Sequence, residues 1–394
     1  MDFYPSQGAE QALPEGAQED VLTRGYSRRS LGRIAALIGG GAMALHGFEP
    51  ALAQRAAKAV VGAVRLASNE CWTGPFPAGA EAATRIIAQG NRYEPENDHD
   101  KLFAAVAQVE GIPADRVMAW PGSSDPLSRS VVSFASPTRG VVTADPTYEV
   151  VWATGEWVGA KVTKVPLTAD YRHDVRAMLA ADPSAGLYYI CSPNNPTGTL
   201  TPLEDIVWLA ENKPRDAIIA VDEAYIHFAD VPNAAKLAAS RDDVLVMRTF
   251  SKLFGMAGMR LGLTIASPAL HDRMMRYDGR QVCNMLPMTA VACGTASLPL
   301  SDQIAARRKQ MIAAREETIA HVARRGLKVV PGSQANMFMV DWGKDPKLMN
   351  AAFLEQGVQI GRSWTAYPTA SRITVGSGEE MQKFRLALDR ILTA

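Results

Sequence analysis

From residue 60 onward, short apolar runs of strand length alternate with stretches of helical period. The strand-like runs are Val117-Met118-Ala119-Trp120, Gly140 to Ala144, Leu187 to Cys191, Ala217 to Val221 and Asp243 to Arg248. Their interiors carry no charge, as in strands buried on both faces of a parallel sheet. A helix is predicted from about Asp100 to Glu110, with Asp98-His99-Asp100 as its cap. Ser301 to about Gly326 is a long amphipathic pattern and predicts a helix linking two domains. Beyond it, Leu327 to Pro331 and Asn336 to Asp341 read as strands, and Leu348 to Gln356 as a helix. Gly357 to Arg362 and Ser371 to Gly376 follow. The pattern predicts an α/β large domain followed by a smaller α+β domain.

Composition removes several function classes. The 394 residues suffice for two domains with a large core. Forty-one Lys and Arg balance 41 Asp and Glu, and no basic stripe interleaves with aromatics, so nothing points to nucleic acid. Cys71, Cys191, Cys283 and Cys293 form no CxxC pair, and the six histidines have no metal-ligand spacing, so no metal is expected. Disulfides are possible but not indicated.

The N-terminus has its own pattern. Residues 1 to about 24 are polar, acidic and rich in Gly and Pro, which predicts disorder. Ser27-Arg28-Arg29-Ser30-Leu31-Gly32-Arg33 precedes an apolar run from Ile34 to Leu45 and then Ala51-Leu52-Ala53. A charged segment, a short apolar segment and an A-x-A site make a secretory signal, and the paired arginines resemble the twin-arginine export motif. Cleavage near Ala53 and a periplasmic address are the expectation. The competing reading is an amphipathic N-terminal helix. The run is too short to span a bilayer, which takes about 20 apolar residues.

The candidate chemistry sits where strands end, which is where ligands bind in open α/β sheets. Thr249-Phe250-Ser251-Lys252 follows one strand, and Gly255, Gly258 and Arg260 come after it. Alone, Lys252 could be a solvated surface lysine. At a buried strand end it can be desolvated, which lowers its pKa and makes it a nucleophile. A second strand ends in Asp222 with Tyr225 three residues on, and a third in Ser192-Pro193-Asn194-Asn195-Pro196. Gly122-Ser123-Ser124 stands at a strand-to-helix turn, an anion site by geometry and dipole.

An amide, a carboxylate with a phenol, and a lysine followed by an arginine, in that order, resemble the pyridoxal-phosphate (PLP) aminotransferases of fold type I, class I/II. The histidinol-phosphate aminotransferase branch is the nearest match, over about residues 60 to 394. The resemblance implies a large domain with a mostly parallel seven-stranded sheet between helices. It makes Lys252 the covalent attachment point of PLP and the general base for the substrate's α-proton. Asp222 would pair with the protonated pyridine nitrogen. Tyr225 and Asn195 would hydrogen-bond the ring hydroxyl, and Tyr148 would stack on the ring. Gly122, Ser123, Ser124, Thr249, Ser251 and Arg260 would hold the phosphate. Tyr93, in Gly90-Asn91-Arg92-Tyr93, matches the tyrosine that reaches a neighbouring subunit's phosphate, which implies a homodimer with shared sites. Arg372 matches the α-carboxylate clamp, Arg362 the holder of a distal phosphate, and Asn69-Glu70 the arm over the substrate pocket.

Three departures stand out. Cys71-Trp72-Thr73 replaces the usual Asn-Pro-Tyr, Ser124 stands where Asp is usual, and no proline follows Arg362. The implied activity is transfer of an amino group between an amino acid, or amino-alcohol phosphate, and a 2-oxo acid. A PLP-dependent lyase, decarboxylase or oxidase is the alternative, and a non-catalytic periplasmic binding protein a second. A nicotinamide oxidoreductase would need a glycine-rich first βα turn, which is missing. Export argues against histidinol phosphate as substrate, since histidine is made in the cytoplasm. The expected division is 1–53 disordered N-terminus and signal, 54–84 N-terminal arm packing with the small domain, 85–300 large domain and 301–394 small domain.

Overall fold

The computed structural model describes residues 13–39, 60–278 and 285–393. The expected cleavage site at Ala53 and the thiol of Cys283 lie outside them.

The apolar runs form the large sheet. Its strands are β2 (Val117–Trp120), β3 (Val141–Asp145), β4 (Val162–Pro166), β5 (Leu187–Cys191), β6 (Ile218–Asp222), β7 (Val244–Thr249) and β8 (Gly262–Ile265). Their order is β2-β8-β7-β6-β5-β3-β4, with β8 antiparallel to both neighbours and the rest parallel. Every residue of β5, β6 and β7 is buried, which explains their unbroken apolar character. Register decides where the chemistry falls. Cys191 pairs with Asp222, and Asp222 with Met247, so three strand ends stand side by side.

The smaller sheet is antiparallel, in the order β12 (Ala370–Thr374), β10 (Met337–Asp341), β9 (Lys328–Val329). The arm strand β1 (Val64–Leu66) pairs in parallel with β11 (Val358–Ile360). The helix Ser301–Arg324 links the two sheets. Its buried Arg307 donates to Leu253 O at 2.8 Å, in the loop after β7. Its buried Arg315 donates to Ala335 O at 3.0 Å, just before β10.

Two local expectations change. The helix Asp98–Glu110 begins at Asp98 and receives no side-chain cap from its N-cap residue, Asn97. Glu94 does that work, accepting the His99 backbone N–H at 3.0 Å. The N-terminal stretch expected to be disordered contains helix α1 (Glu15–Thr23), and α2 (Arg28–Gly39) follows.

Both helices lie against the large domain. Val21, Leu31, Ile34 and Ile38 share a buried cluster with Leu127, Val131, Val150 and Met274. Arg24 donates to Val132 O at 2.7 Å, Ala135 O at 3.0 Å and the Tyr277 hydroxyl at 2.9 Å. Two of those acceptors are last-turn carbonyls of the helix Ser124–Phe134 and its cap, which need donors from outside the helix. Arg33 does the same for Trp157 O at 2.6 Å. Composition signalled none of this, because the apolar face is completed only by its tertiary partner. Arg24→Ala is expected to lower stability by about 1–3 kcal/mol, the loss of charge-assisted hydrogen bonds to two buried carbonyls, which keep the hydroxyls of Tyr277 and Tyr26 as their remaining donors. Denaturant unfolding of the full chain measures it, and an unchanged midpoint would remove the clamp.

Candidate active site

The loop after β7 carries the lysine. Ser251 N–H donates to Thr249 Oγ1 at 3.1 Å, and Gly255 N–H closes a turn on Lys252 O at 3.0 Å. Gly255 has φ +69°, and a Cβ there would lie 2.4 Å from Gly74 O. Only glycine lets the Cys71–Gly74 segment pass so close to the lysine turn.

Lys252 opens into a cavity of about 640 Å³. Asn69, Glu70, Ser123, Ser124, Tyr148, Asp222, Tyr225, Thr249, Ser251, Arg260, Arg362 and Arg372 also line it. Residues scattered over three hundred positions therefore meet in one place.

One end of the cavity is an anion cradle. Arg260 donates to Ser251 Oγ at 3.3 Å, and Thr249 Oγ1 to Ser251 Oγ at 3.0 Å. Gly122 has φ +89°, and a Cβ there would sit 2.1 Å from Arg260 Nη2, so the guanidinium lies over the turn only because the residue is glycine. The helix Ser124–Phe134 begins here and adds its positive dipole end. Hydroxyls, a guanidinium and a helix N-terminus suit a phosphate dianion.

The middle holds the carboxylate. Asp222 is buried; its Oδ1 accepts the Ala224 N–H at 3.0 Å and its Oδ2 the Tyr189 hydroxyl at 2.9 Å. Burial pushes its pKa up to about 6, against the hydrogen bonds from Tyr189 and Ala224, which lower it. A buried acid of this kind is stabilised by a cation, such as a protonated heterocycle. Burial, and then the nearby Arg372 charge, lowers Lys252 to about 8. A depressed lysine pKa means that the neutral amine prevails above that pH. In the cofactor-free protein, labelling of Lys252 by an amine-reactive reagent should rise through about pH 8, far below an ordinary lysine. Peptide mass spectrometry measures it; a rise only near pH 10 would contradict the buried site.

The far end is built from the small domain and the arm. Arg372, buried on β12, donates to Asn195 Oδ1 at 2.8 Å and to Ala67 O, while its Nε is buried without a partner. A buried guanidinium with a vacant donor fits a carboxylate. Burial depresses its pKa to about 10. Tyr225 accepts from Asn69 Nδ2 at 3.0 Å, and Asn69 also bonds Thr374 on β12. Asn69 is buried at φ +54° and positions Tyr225. Glu70, in contact with the cavity, pairs with Arg65 at 2.8 Å.

Not every expected residue falls in the cavity. Asn195 is buried and lies behind Arg372, outside the lining, so its carbonyl oxygen orients the clamp. Tyr93 is 97% exposed and away from this chain's own cavity. Among the described residues no group of His, Cys, Asp or Glu could hold a metal.

Other residues entered unannounced. Tyr189 lies two positions before the end of β5, on the face it shares diagonally with Asp222, a relation that strand pairing alone would have exposed. Glu149 forms an ion pair with Arg362. Arg362 also lies 4.2 Å over the Trp364 ring. Arg362 and Trp364 lie beyond the end of β11, where strand periodicity no longer applies, so neither that contact nor Glu149 was signalled by the sequence.

The aminotransferase class I and II family model matches residues 61–391. The chain belongs to the class I and II aminotransferases. It is 34% identical over 325 residues to an aromatic amino acid aminotransferase of Rhodococcus jostii, covering 82% of this chain and 88% of that one. It is 32% identical over 339 residues to histidinol-phosphate aminotransferase 1 of Nitrosococcus oceani, covering 84% and 90%. Among solved structures, it resembles a putative histidinol-phosphate aminotransferase from Erwinia carotovora atroseptica, with TM-score 0.79, 26% identity and coverage of 84% and 96%. It also resembles the histidinol-phosphate aminotransferase of Sinorhizobium meliloti in complex with pyridoxal-5'-phosphate, with TM-score 0.75, 25% identity and coverage of 83% and 90%. This aminotransferase is a PLP-dependent transaminase of fold type I, and the cradle, the buried acid and the lysine fit that cofactor.

Proposed function

We propose that this transaminase acts on amino acids whose side chains are bulky and uncharged, aromatic ones foremost. The observation that carries this is the Glu149–Arg362 pair. A distal phosphate or carboxylate would look to Arg362, yet that charge is already matched and its flat face rests on Trp364. Leu354 and Ile360 add apolar surface beside it. The aromatic amino acid aminotransferase of Rhodococcus jostii among the relatives supports the same class.

PLP, when bound, supplies an electron sink that makes the α-proton of an amino acid removable. The chain's residues do the rest. Arg372 grips the α-carboxylate and fixes which bond faces the lysine. The Lys252 amine, its pKa brought down to about 8, would take the α-proton and hold it for return. Asp222 would hold a proton on the cofactor's ring nitrogen, and Tyr225, oriented by Asn69, would donate a hydrogen bond to the cofactor's ring hydroxyl. Tyr148 covers one face and excludes water. Steady-state kinetics with a panel of amino donors tests the proposal: the highest kcat/KM is expected for aromatic donors. A higher value for histidinol phosphate would overturn it.

We further propose a homodimer in which Tyr93 completes the partner's phosphate site. Exposure of Tyr93 on its own chain supports this. Export by the twin-arginine route is proposed on the motif at Ser27–Arg33, with cleavage near Ala53. Cleavage near Ala53 would remove the amphipathic helix α2, which docks on the folded large domain. Cell fractionation with N-terminal sequencing decides it. A periplasmic chain beginning after Ala53 supports export, and an intact chain in the cytoplasm overturns it.

A further inference from the structure

We infer that Glu149 is a specificity-determining residue: it acts as a built-in anion on Arg362, discriminating against substrates with an acidic side chain. The inference rests on the reading of this cavity as the amino-acid site.

Glu149 directly follows Tyr148, at the N-terminus of the helix Val150–Val158. That position invites a side-chain cap, but Glu149 makes none. Its carboxylate is directed to Arg362, 213 residues later. Glu149 belongs to the large domain and Arg362 to the small one, so the pair crosses the cleft at the cavity wall. Both residues line the cavity. Both also act on Arg372, Arg362 lowering its pKa and Glu149 raising it. The pair therefore stands beside the α-carboxylate clamp, where the substrate's side chain must lie.

Its exposure is uneven, with the Arg362 side chain 41% exposed and Glu149 11%. The carboxylate side of the pair is shielded from solvent, so removing Glu149 from Arg362 leaves a buried charge without its partner. Trp364 holds the guanidinium in place whether or not Glu149 is engaged. A neutral side chain meets a neutral pair and disturbs nothing. An acidic side chain must compete with Glu149 for one guanidinium and then lie near a displaced carboxylate. Specificity arises from that repulsion as well as from the fit of the favoured substrate. Because a ping-pong transaminase uses one pocket for both half-reactions, the same competition applies to the oxo acid.

The test uses the PLP-loaded enzyme and Glu149→Gln, which keeps the shape and removes the charge. Two readouts are taken. One is kcat/KM for an acidic donor, glutamate, relative to an aromatic donor, phenylalanine. The other is calorimetric affinity for two non-reacting acids, glutarate and 3-phenylpropionate. The glutamate-to-phenylalanine ratio should rise about fivefold or more, and glutarate should gain affinity over 3-phenylpropionate by a similar factor. Glu149→Asp, which restores the charge, should return both ratios toward wild type. Unchanged ratios in E149Q with wild-type transamination intact would overturn the inference while leaving the site's assignment standing. A gain reproduced by E149D would also overturn it, since packing rather than charge would then be responsible. Failure of the wild type to transaminate either donor or to bind either acid would instead overturn the reading of the cavity.

Discussion

Lys252→Ala is expected to lower kcat for transamination by at least ~10³-fold while leaving a folded protein. The amine does two jobs, covalent attachment and proton transfer, and among the described residues no other lysine lines the cavity. Its effect on stability has the opposite sign. The folded-state pKa is depressed from 10.5 to about 8, so stability rises with pH between those values. Below about pH 8 the folded protein carries the whole cost of a buried charged amine. The cofactor-free alanine variant should therefore unfold at or above the wild-type temperature at pH 7, as read by thermal melting. A variant that is inactive because it does not fold would leave the role of the amine without support. One that transaminates at the wild-type rate would contradict it.

Asp222→Asn is the second large effect, with kcat expected to fall by about 10²–10⁴. The amide is nearly isosteric, and its oxygen can still accept from Ala224 N–H or the Tyr189 hydroxyl. What it loses is the charge that holds a proton on a heterocyclic nitrogen. The loss should fall on kcat rather than on KM, because Asp222 faces the cofactor and Arg372 holds the substrate. Kinetics of the half-reaction separates the two. A variant whose KM alone changes would move Asp222 from the cofactor to the substrate side.

Much of this site was legible because buried parallel strands write themselves as apolar runs, and the polar residue that ends each run is exposed to view. Asp222 and Lys252 follow that rule, and strand register then brings their ends together. Arg372 was legible only through the family resemblance, and the structure then places it in a strand whose five residues are all buried. Asn195 shows the limit: its turn was identified, but its side chain points to Arg372 rather than into the cavity. Tyr189 was hidden by its neighbours, since two adjacent tyrosines in an apolar strand look like core. Glu149 and Arg362 stand 213 residues apart, and no local pattern records a pair that only the closed cleft creates. Helix α1 was obscured because a Gly- and Pro-rich composition argues for disorder until a docking surface supplies the missing half of its core, whereas α2 falls where an amphipathic helix stood as the alternative to an export signal.

The most direct measurement is the visible absorption of the purified, PLP-loaded protein through one full cycle. An aromatic amino acid is added in the absence of any oxo acid, and then a 2-oxo acid is added. The account predicts that the lysine-bound chromophore is lost with the first addition and regained with the second, with the amine recovered on the oxo acid. It also predicts that Lys252→Ala shows neither change. Release of ammonia or carbon dioxide with the chromophore unchanged, or no response to any amino acid, would contradict it.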